Sequence, residues 1–211
     1  MLPTPSAQTI SNDLTLPVVE VFATIQGEGY HTGKSAVFIR LAGCDICCNW
    51  CDSKESWDAS DWPGMKTEQI LEQVIPFGLA DVIISGGEPL RYDLSVLTYA
   101  LKTAGCRTFL ETSGAYPITG EWDWICLSPK ASHPPLPDVF LKAGELKVVI
   151  ATSDDLQWAE QQRLQARPDT LFYLQPEWSV RETILPIITR YILKNPVWML
   201  SLQSHKYIGI P

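Results

Sequence analysis

Short apolar runs rich in Val, Ile and Leu alternate along this chain with stretches of helical period, and glycine, proline or a capping residue marks most of the changes. Val18–Gln26 and Ala36–Leu41 read as strands. Thr67–Pro76 reads as a short helix with Thr67 as its N-cap. Asp81–Ser85 is a buried-strand run closed by Gly86-Gly87, and Asp93 caps a helix that runs to Gly105, where a C′ glycine belongs. Arg107–Glu111 and Trp124–Leu127 read as strands joined only by a short link bearing Gly114, Pro117 and Gly120. Pro134, Pro135 and Pro137 predict an extended loop over Ser132–Asp138. Glu145–Ile150 is a β-branched strand, and Ser153–Ala166 a helix with Asp154 and Asp155 favourably placed in its first turn. Thr170–Leu174 is a strand. Ser179-Val-Arg-Glu182 predicts a capping box opening a helix to about Lys194, kinked or started late by Pro186, and Val197–Leu202 is the last strand.

Strands alternating with helices predict an α/β fold with a mostly parallel sheet. The missing crossover helix predicts a shortened, partial TIM-type barrel. Residues 1–17 read as a flexible polar arm and 18–211 as a single domain. The candidate functional residues fall just after strand ends, the face on which parallel α/β folds bind ligands.

Charge and cysteine usage narrow the function. The net charge of the 211 residues is −8, and no basic run tracks a phosphate backbone, which argues against nucleic acid as a partner. No apolar stretch approaches the roughly 20 residues that span a bilayer, and the first residues lack the order of a signal peptide. A cytoplasmic protein is expected, in which six cysteines favour metal binding or catalysis over disulfides.

Four of those cysteines share the loop Gly43-Cys-Asp-Ile-Cys-Cys-Asn-Trp-Cys-Asp52. Cys44, Cys48 and Cys51 can hold three corners of a [4Fe–4S] cluster and leave one iron open to a ligand. Cys47 keeps other readings alive: abutting Cys44-x-x-Cys47 and Cys48-x-x-Cys51 pairs for zinc, or a redox dithiol. Cys106 and Cys126 read as buried apolar thiols. The pair Gly86-Gly87, in Ser85-Gly-Gly-Glu-Pro89, lets backbone approach a ligand and could offer its N–H and C=O groups to the amino and carboxylate ends of a methionine moiety. After a three-cysteine loop this pattern resembles the radical S-adenosylmethionine (SAM) enzymes. Gln26 and Glu28 can offer an amide and a carboxylate to a planar heterocycle. Arg40 is a charge among apolar neighbours and needs a carboxylate partner, from a substrate or from within the chain. Ser53 has a hydroxyl that could ligate Mg²⁺.

In order, Ile25-Gln-Gly-Glu-Gly-Tyr30, Phe38-Ile-Arg-Leu41, the cysteine loop with Ser53, Ser85-Gly-Gly-Glu-Pro89, Glu111-Thr-Ser-Gly114, Ser128-Pro-Lys130, Leu174-Gln-Pro176 and Gln203-Ser-His-Lys-Tyr207 resemble the 7-carboxy-7-deazaguanine synthases, radical SAM lyases of queuosine biosynthesis. The resemblance implies ring contraction of 6-carboxy-5,6,7,8-tetrahydropterin to 7-carboxy-7-deazaguanine with release of ammonia. It implies a homodimer served by a flavodoxin-like electron donor. The cluster would sit on Cys44, Cys48 and Cys51, with SAM re-formed at each turnover and Mg²⁺ at Ser53. Trp50, Cys51, Asp52, Gly86, Gly87 and Glu88 would line the SAM pocket, together with Ser128, Pro129, Lys130, Gln175, Pro176, Glu177 and Trp178. Ile25, Gln26, Gly27, Glu28, Arg40, Ser85, His205 and the terminal carboxylate of Pro211 would hold the pterin. The rival readings are a radical SAM activase that makes a protein radical and a non-catalytic zinc-binding module.

Overall fold

The computed structural model describes residues 15–211. In chain order the elements are β1 (Thr15–Ile25), β2 (Ser35–Leu41), β3 (Gly64–Lys66), α1 (Thr67–Val74), β4 (Asp81–Gly86), α2 (Ser95–Thr103), β5 (Arg107–Thr112), β6 (Trp124–Leu127), α3 (Pro137–Phe140), β7 (Glu145–Ile150), α4 (Asp155–Arg163), β8 (Leu171–Pro176), α5 (Arg181–Lys194), β9 (Trp198–Leu200) and α6 (Ser204–Ile208). They build one nine-stranded sheet in the order β3-β1-β2-β4-β5-β6-β7-β8-β9, open between β3 and β9. From β2 through β9 every neighbour is parallel, whereas β1 runs antiparallel to β2 and to β3. The partial barrel with no crossover helix between β5 and β6 is therefore present.

Side chains alternate across each strand, and the two faces differ in kind. Val37, Ile39, Leu41, Val82, Ile84 and Leu110 pack under α1 and α2 in one fully buried cluster. Leu127, Leu146, Val148, Ile150 and Leu174 pack under α4 and α5 in a second. The other face curls inward. Near the strand starts it holds a small apolar group, Ala36, Ile83 and Phe109 with Phe38 and Trp124. Towards the strand ends it turns polar: Arg40, Ser85, Glu111, Lys147 and Gln175 all line one cavity.

The direction of β1 corrects one expectation. Ile25 pairs with Ser35 at the start of β2, so residues 26–34 leave the sheet at the end opposite the cysteine loop. They reach the site by folding into the mouth of the curl. Tyr30 stacks on Trp124 with ring centroids 5.1 Å apart, and its N–H donates to Glu145 Oε2 at 2.7 Å. Gly29 N–H donates to Ser201 Oγ at 3.0 Å, and Ser204 N–H to Gly27 O at 2.9 Å. The segment is a plug whose upper surface, Gln26-Gly27-Glu28, becomes the floor of the cavity.

Other boundaries move for local reasons. Residues 15–17, expected to belong to the polar arm, are strand instead: Thr15, Leu16 and Pro17 pair with Lys66, Met65 and Gly64, and Leu16 is buried; the rest of the expected arm, residues 1–14, lies outside the described residues. Thr67 is the first helical residue of α1 rather than its cap, and Gln69 Oε1 accepts the Lys66 N–H at 2.8 Å. Leu94 rather than Asp93 holds the N-cap position of α2; Asp93 sits one residue earlier and accepts the Ser95 N–H at 2.9 Å. The α5 capping box does not form: Glu177 accepts the N–H groups of Ser179 and Val180, and the helix starts at Arg181. It runs through Pro186 without starting late, held by Ile184 and Ile188, which are buried on either side. Pro137 opens α3 from a position where no N–H is needed, so the proline-rich segment is partly helical.

Candidate active site

The cavity measures about 490 Å³ and is lined from three directions: the cysteine loop, the inner face of the sheet and the chain after β9. The cysteine loop is stitched to the ends of β2 and β4. Gly43 N–H donates to Ser56 O at 2.7 Å, Cys44 N–H to Trp57 O at 3.0 Å, and Cys51 N–H to Cys48 O at 2.9 Å. Cys44, Cys48 and Cys51 line the cavity. Cys47 does not: it is exposed, adopts φ +48°, and its thiol donates back to Cys44 O at 3.2 Å. Burial pushes the Cys44 and Cys48 thiols up; backbone N–H groups of Cys47 and Ile46 at Cys44, and the Lys130 ammonium near Cys48, pull the other way. Three convergent thiols served by backbone donors and a neighbouring cation fit a cluster with one open iron, and the outward Cys47 removes the fourth ligand that a zinc site would need.

The glycine pair lines the cavity and also permits a close approach of backbone segments. Gly87 N–H donates to Leu41 O at 2.7 Å and Glu88 N–H to Gly43 O at 3.0 Å, so neither is free for a methionine moiety. A Cβ at Gly86 would lie 2.2 Å from Leu41 O, and one at Gly87 2.5 Å from Gly43 O. Glycine is required here so that the cysteine loop can lie against β4. Glu88 is 1% exposed, and its carboxylate accepts from Leu90 N–H at 3.1 Å, Ser113 N–H at 2.8 Å and the Thr112 hydroxyl at 2.5 Å. It ties β4 to β5.

The floor is a charged network. Gln26 donates to Glu111 Oε1 at 2.7 Å. Lys147, 3% exposed, pairs with Glu28 and lies 3.5 Å from Glu111 Oε2. Gln203 donates to Glu28 Oε1 at 2.9 Å and to Asp52 Oδ2 at 3.0 Å, and Lys206 pairs with the same Asp52 oxygen at 2.8 Å. Burial would push Glu28 up, but Lys147 and hydrogen bonds from Lys147, Gln203 and Gln175 bring it down to about 2. Burial would push Lys147 down, and its anionic surroundings hold it well above its ordinary value. Both groups are therefore charged at neutral pH.

The remaining residues singled out in the sequence fall around this floor. Arg40 finds its partners within the chain, Glu20 Oε1 at 2.9 Å and Glu55 Oε1 at 3.8 Å, and still lines the cavity. Ser53 is 7% exposed, with its hydroxyl 3.7 Å from Cys51 Sγ. Trp50 lies under Lys130 Nζ, 5.2 Å from its ring centre, and Lys130 donates to Ser128 O and Oγ. Gln175 accepts from Ser201, and Glu177 spends its carboxylate on capping, while Pro176 and Trp178 complete that wall. Ile25, Ser85 and His205 line the cavity; so does Pro211, whose carbonyl oxygen accepts from Thr24 Oγ1 at 3.2 Å. A Cβ on Gly27 would meet His205 Nδ1 at 2.1 Å, so this glycine makes room for the histidine. Of the expected set, only Pro129 is absent from the cavity wall; it is buried behind Ser128 and Lys130.

Sequence reading missed Lys147, and did not single out Thr24, Glu111, Gln203 or Lys206 within the motifs that contain them. A lysine inside the apolar run Glu145–Ile150 was the available signal. Trp57 was also missed: its buried indole N–H has no acceptor among the described residues, and the residue lines the cavity.

Residues 25–115 match a family described as a 4Fe-4S single cluster domain. Together with the open, mostly parallel sheet and the three-thiol loop, this defines a radical SAM iron–sulfur enzyme, whose cofactors are a [4Fe–4S] cluster and SAM. The chain is 48% identical over 196 residues to the 7-carboxy-7-deazaguanine synthase of Flavobacterium psychrophilum, covering 93% of each. It is 45% identical over 203 residues to that of Synechocystis sp., covering 95% of this chain and 97% of the other. The crystal structure of QueE from Escherichia coli superimposes with a TM-score of 0.82 at 28% identity, over 94% of this chain and all 100% of that one. The chain belongs to the 7-carboxy-7-deazaguanine synthase family.

Proposed function

We propose that residues 15–211 act as one radical SAM domain that forms 7-carboxy-7-deazaguanine from 6-carboxy-5,6,7,8-tetrahydropterin with release of ammonia. The observation that carries this reading is the placement of a three-thiol loop and a floor of buried hydrogen-bond acceptors in one cavity of about 490 Å³. With a cluster on Cys44, Cys48 and Cys51 and SAM at its open iron, the site is supplied with one-electron hydrogen-abstraction chemistry. Trp50, Asp52, Ser128, Lys130 and the Gln175–Trp178 segment hold SAM from the sides. Gln26, Glu28 and Glu111 receive the N–H groups of the bicycle from below. Lys147 keeps the acceptors ionised and so fixes which edge of the ring faces them. Arg40 would receive the substrate carboxylate, and Ser53 would supply a hydroxyl to Mg²⁺. Ser85, His205 and Pro211 close the remaining sides. Ordering of the substrate between two walls orients the reacting C–H bond and shuts out water.

The same reading includes a homodimer, a flavodoxin-like reductant and a cytoplasmic location. Among the described residues no helix is long and apolar enough to cross a membrane. The test is anaerobic reconstitution followed by turnover of the carboxylated tetrahydropterin, with the product identified by mass. Four irons per cluster-loaded chain, a brown chromophore and the deazaguanine mass are expected. SAM cleavage without ring contraction would leave an activase, and one zinc with no colour would leave a binding module.

A further inference from the structure

Beneath the floor lies a second, much smaller space of about 10 Å³, lined by Gln26, Glu111, Glu145, Cys126, His31 and Trp124 among others. That is room for about one water molecule. Two buried ring nitrogens of this wall, His31 Nε2 and Trp124 Nε1, have no protein partner among the described residues. The indole nitrogen can only donate. The histidine tautomer follows from its neighbour: Lys34 Nζ, which also only donates, lies 3.0 Å from His31 Nδ1. Nδ1 is therefore the acceptor, and Nε2 carries the hydrogen. Burial and the Lys34 charge, in that order, hold the imidazole below its ordinary pKa, consistent with a neutral ring.

Two carboxylates share the chamber with these donors. Glu145 accepts the Tyr30 N–H, and Glu111 accepts from Gln26; each keeps lone pairs to spare. A buried N–H without a partner is destabilising, so two of them in one chamber call for an acceptor. A single water satisfies the whole set, accepting two N–H bonds and donating two O–H bonds. No side chain present can do both.

We propose that this chamber is a specific site for one water molecule, held by His31 and Trp124, which links Glu145 to Glu111 and fixes the Glu111 carboxylate in the substrate floor. Glu111 lines both the chamber and the cavity above it, so the water acts on substrate through it. His31 and Trp124 are positioning residues, whose influence on the substrate passes through Glu111. The part of the inference that concerns substrate rests on the function proposed above.

A crystal structure of the reconstituted enzyme at a resolution that shows ordered water tests the site itself. One peak bonded to His31 Nε2, Trp124 Nε1 and the two carboxylates is expected; a dry chamber, or a direct bond from either ring to Glu111, overturns the proposal. His31→Phe and Trp124→Phe, which keep ring bulk and remove the donor, should each raise KM for the pterin about tenfold and leave SAM binding unchanged. His31→Gln, which returns an N–H near the Nε2 position, should restore KM to within about twofold of the parent. Unchanged KM in both phenylalanine variants, or equal loss of SAM affinity, overturns the positioning role. If the protein turns over no pterin at all, the substrate reading fails, while the crystallographic result still decides the water site.

Discussion

The two faces of the sheet obey different rules. On the helix-covered face, Ile39, Leu41, Ile84, Leu110 and Leu146 are fully buried, and each needs only apolar neighbours of suitable volume. On the curled face every polar group needs a particular partner, drawn from far along the chain. Lys147 reaches Glu28 across 119 residues, and Gln203 reaches the same carboxylate across 175. The first face is non-directional and makes the domain stable; the second is directional and makes a site. Leu146 and Lys147, adjacent in β7, belong to one face each.

That adjacency gives the strongest test. Lys147→Met keeps the length of the side chain and removes its charge, leaving Glu28 and Glu111 buried without their cation. Removal of one partner of a buried ion pair costs about 3–5 kcal/mol. Pterin turnover should also fall about 10²-fold, the usual cost of misplacing a substrate. Leu146→Ala opens a cavity on the other face and should cost about 2–5 kcal/mol in denaturant unfolding. Its turnover per folded molecule should stay within about twofold of the parent. If Leu146→Ala lowers turnover as steeply as Lys147→Met, the two faces are not separable.

The same division explains what the sequence could disclose. Asp81–Ser85, Trp124–Leu127 and Glu145–Ile150 are legible because apolar side chains declare their period locally, and the absent helix between β5 and β6 is legible from its short link. The three thiols share a loop, so their spacing declares them. The floor is not legible in that way. The inward fold of residues 26–34 depends on β1 running antiparallel to β2, which no local pattern states. Lys147 reads as an interruption of a strand until Glu28 and Glu111 are placed beside it. Gly86 and Gly87 announce a close approach but do not say that Leu41 of β2 and Gly43 of the cysteine loop are among its partners.

A smaller effect separates the faces by pH. Glu28 is held at about 2, below its ordinary 4.5. A depressed carboxylate contributes stability that is fully present above its unfolded pKa and is lost as pH falls through the folded one. The contribution, on the order of 3 kcal/mol, should therefore decline between about pH 4.5 and pH 2. Glu145, pushed up chiefly by burial, acts in the opposite sense: what it contributes is present at low pH and is lost as pH rises through its folded value. The stability difference between the parent and Glu28→Gln, followed by urea unfolding at successive pH values, should be large at pH 6 and shrink towards pH 2. A difference that stays flat over that range would mean that Glu28 is not the titrating group. Leu146→Ala should show no such slope relative to the parent.

The smallest effect comes from the other adjacent pair that faces two ways. Cys48 lines the cavity, whereas Cys47 is exposed and holds φ +48°, a conformation that disfavours any side chain with a Cβ. Glycine takes that conformation freely, so Cys47→Gly removes strain and a thiol together while losing one Sγ contact to Cys44 O. Stability should change by less than about 1 kcal/mol, and iron content and SAM cleavage should match the parent. Cys48→Ala should lose the brown chromophore altogether. The contrast rests on direction alone, since both residues are cysteines on one loop. If Cys47→Gly also lost iron, the loop would have to turn this thiol inward when metal binds, and the ligand set would be four rather than three.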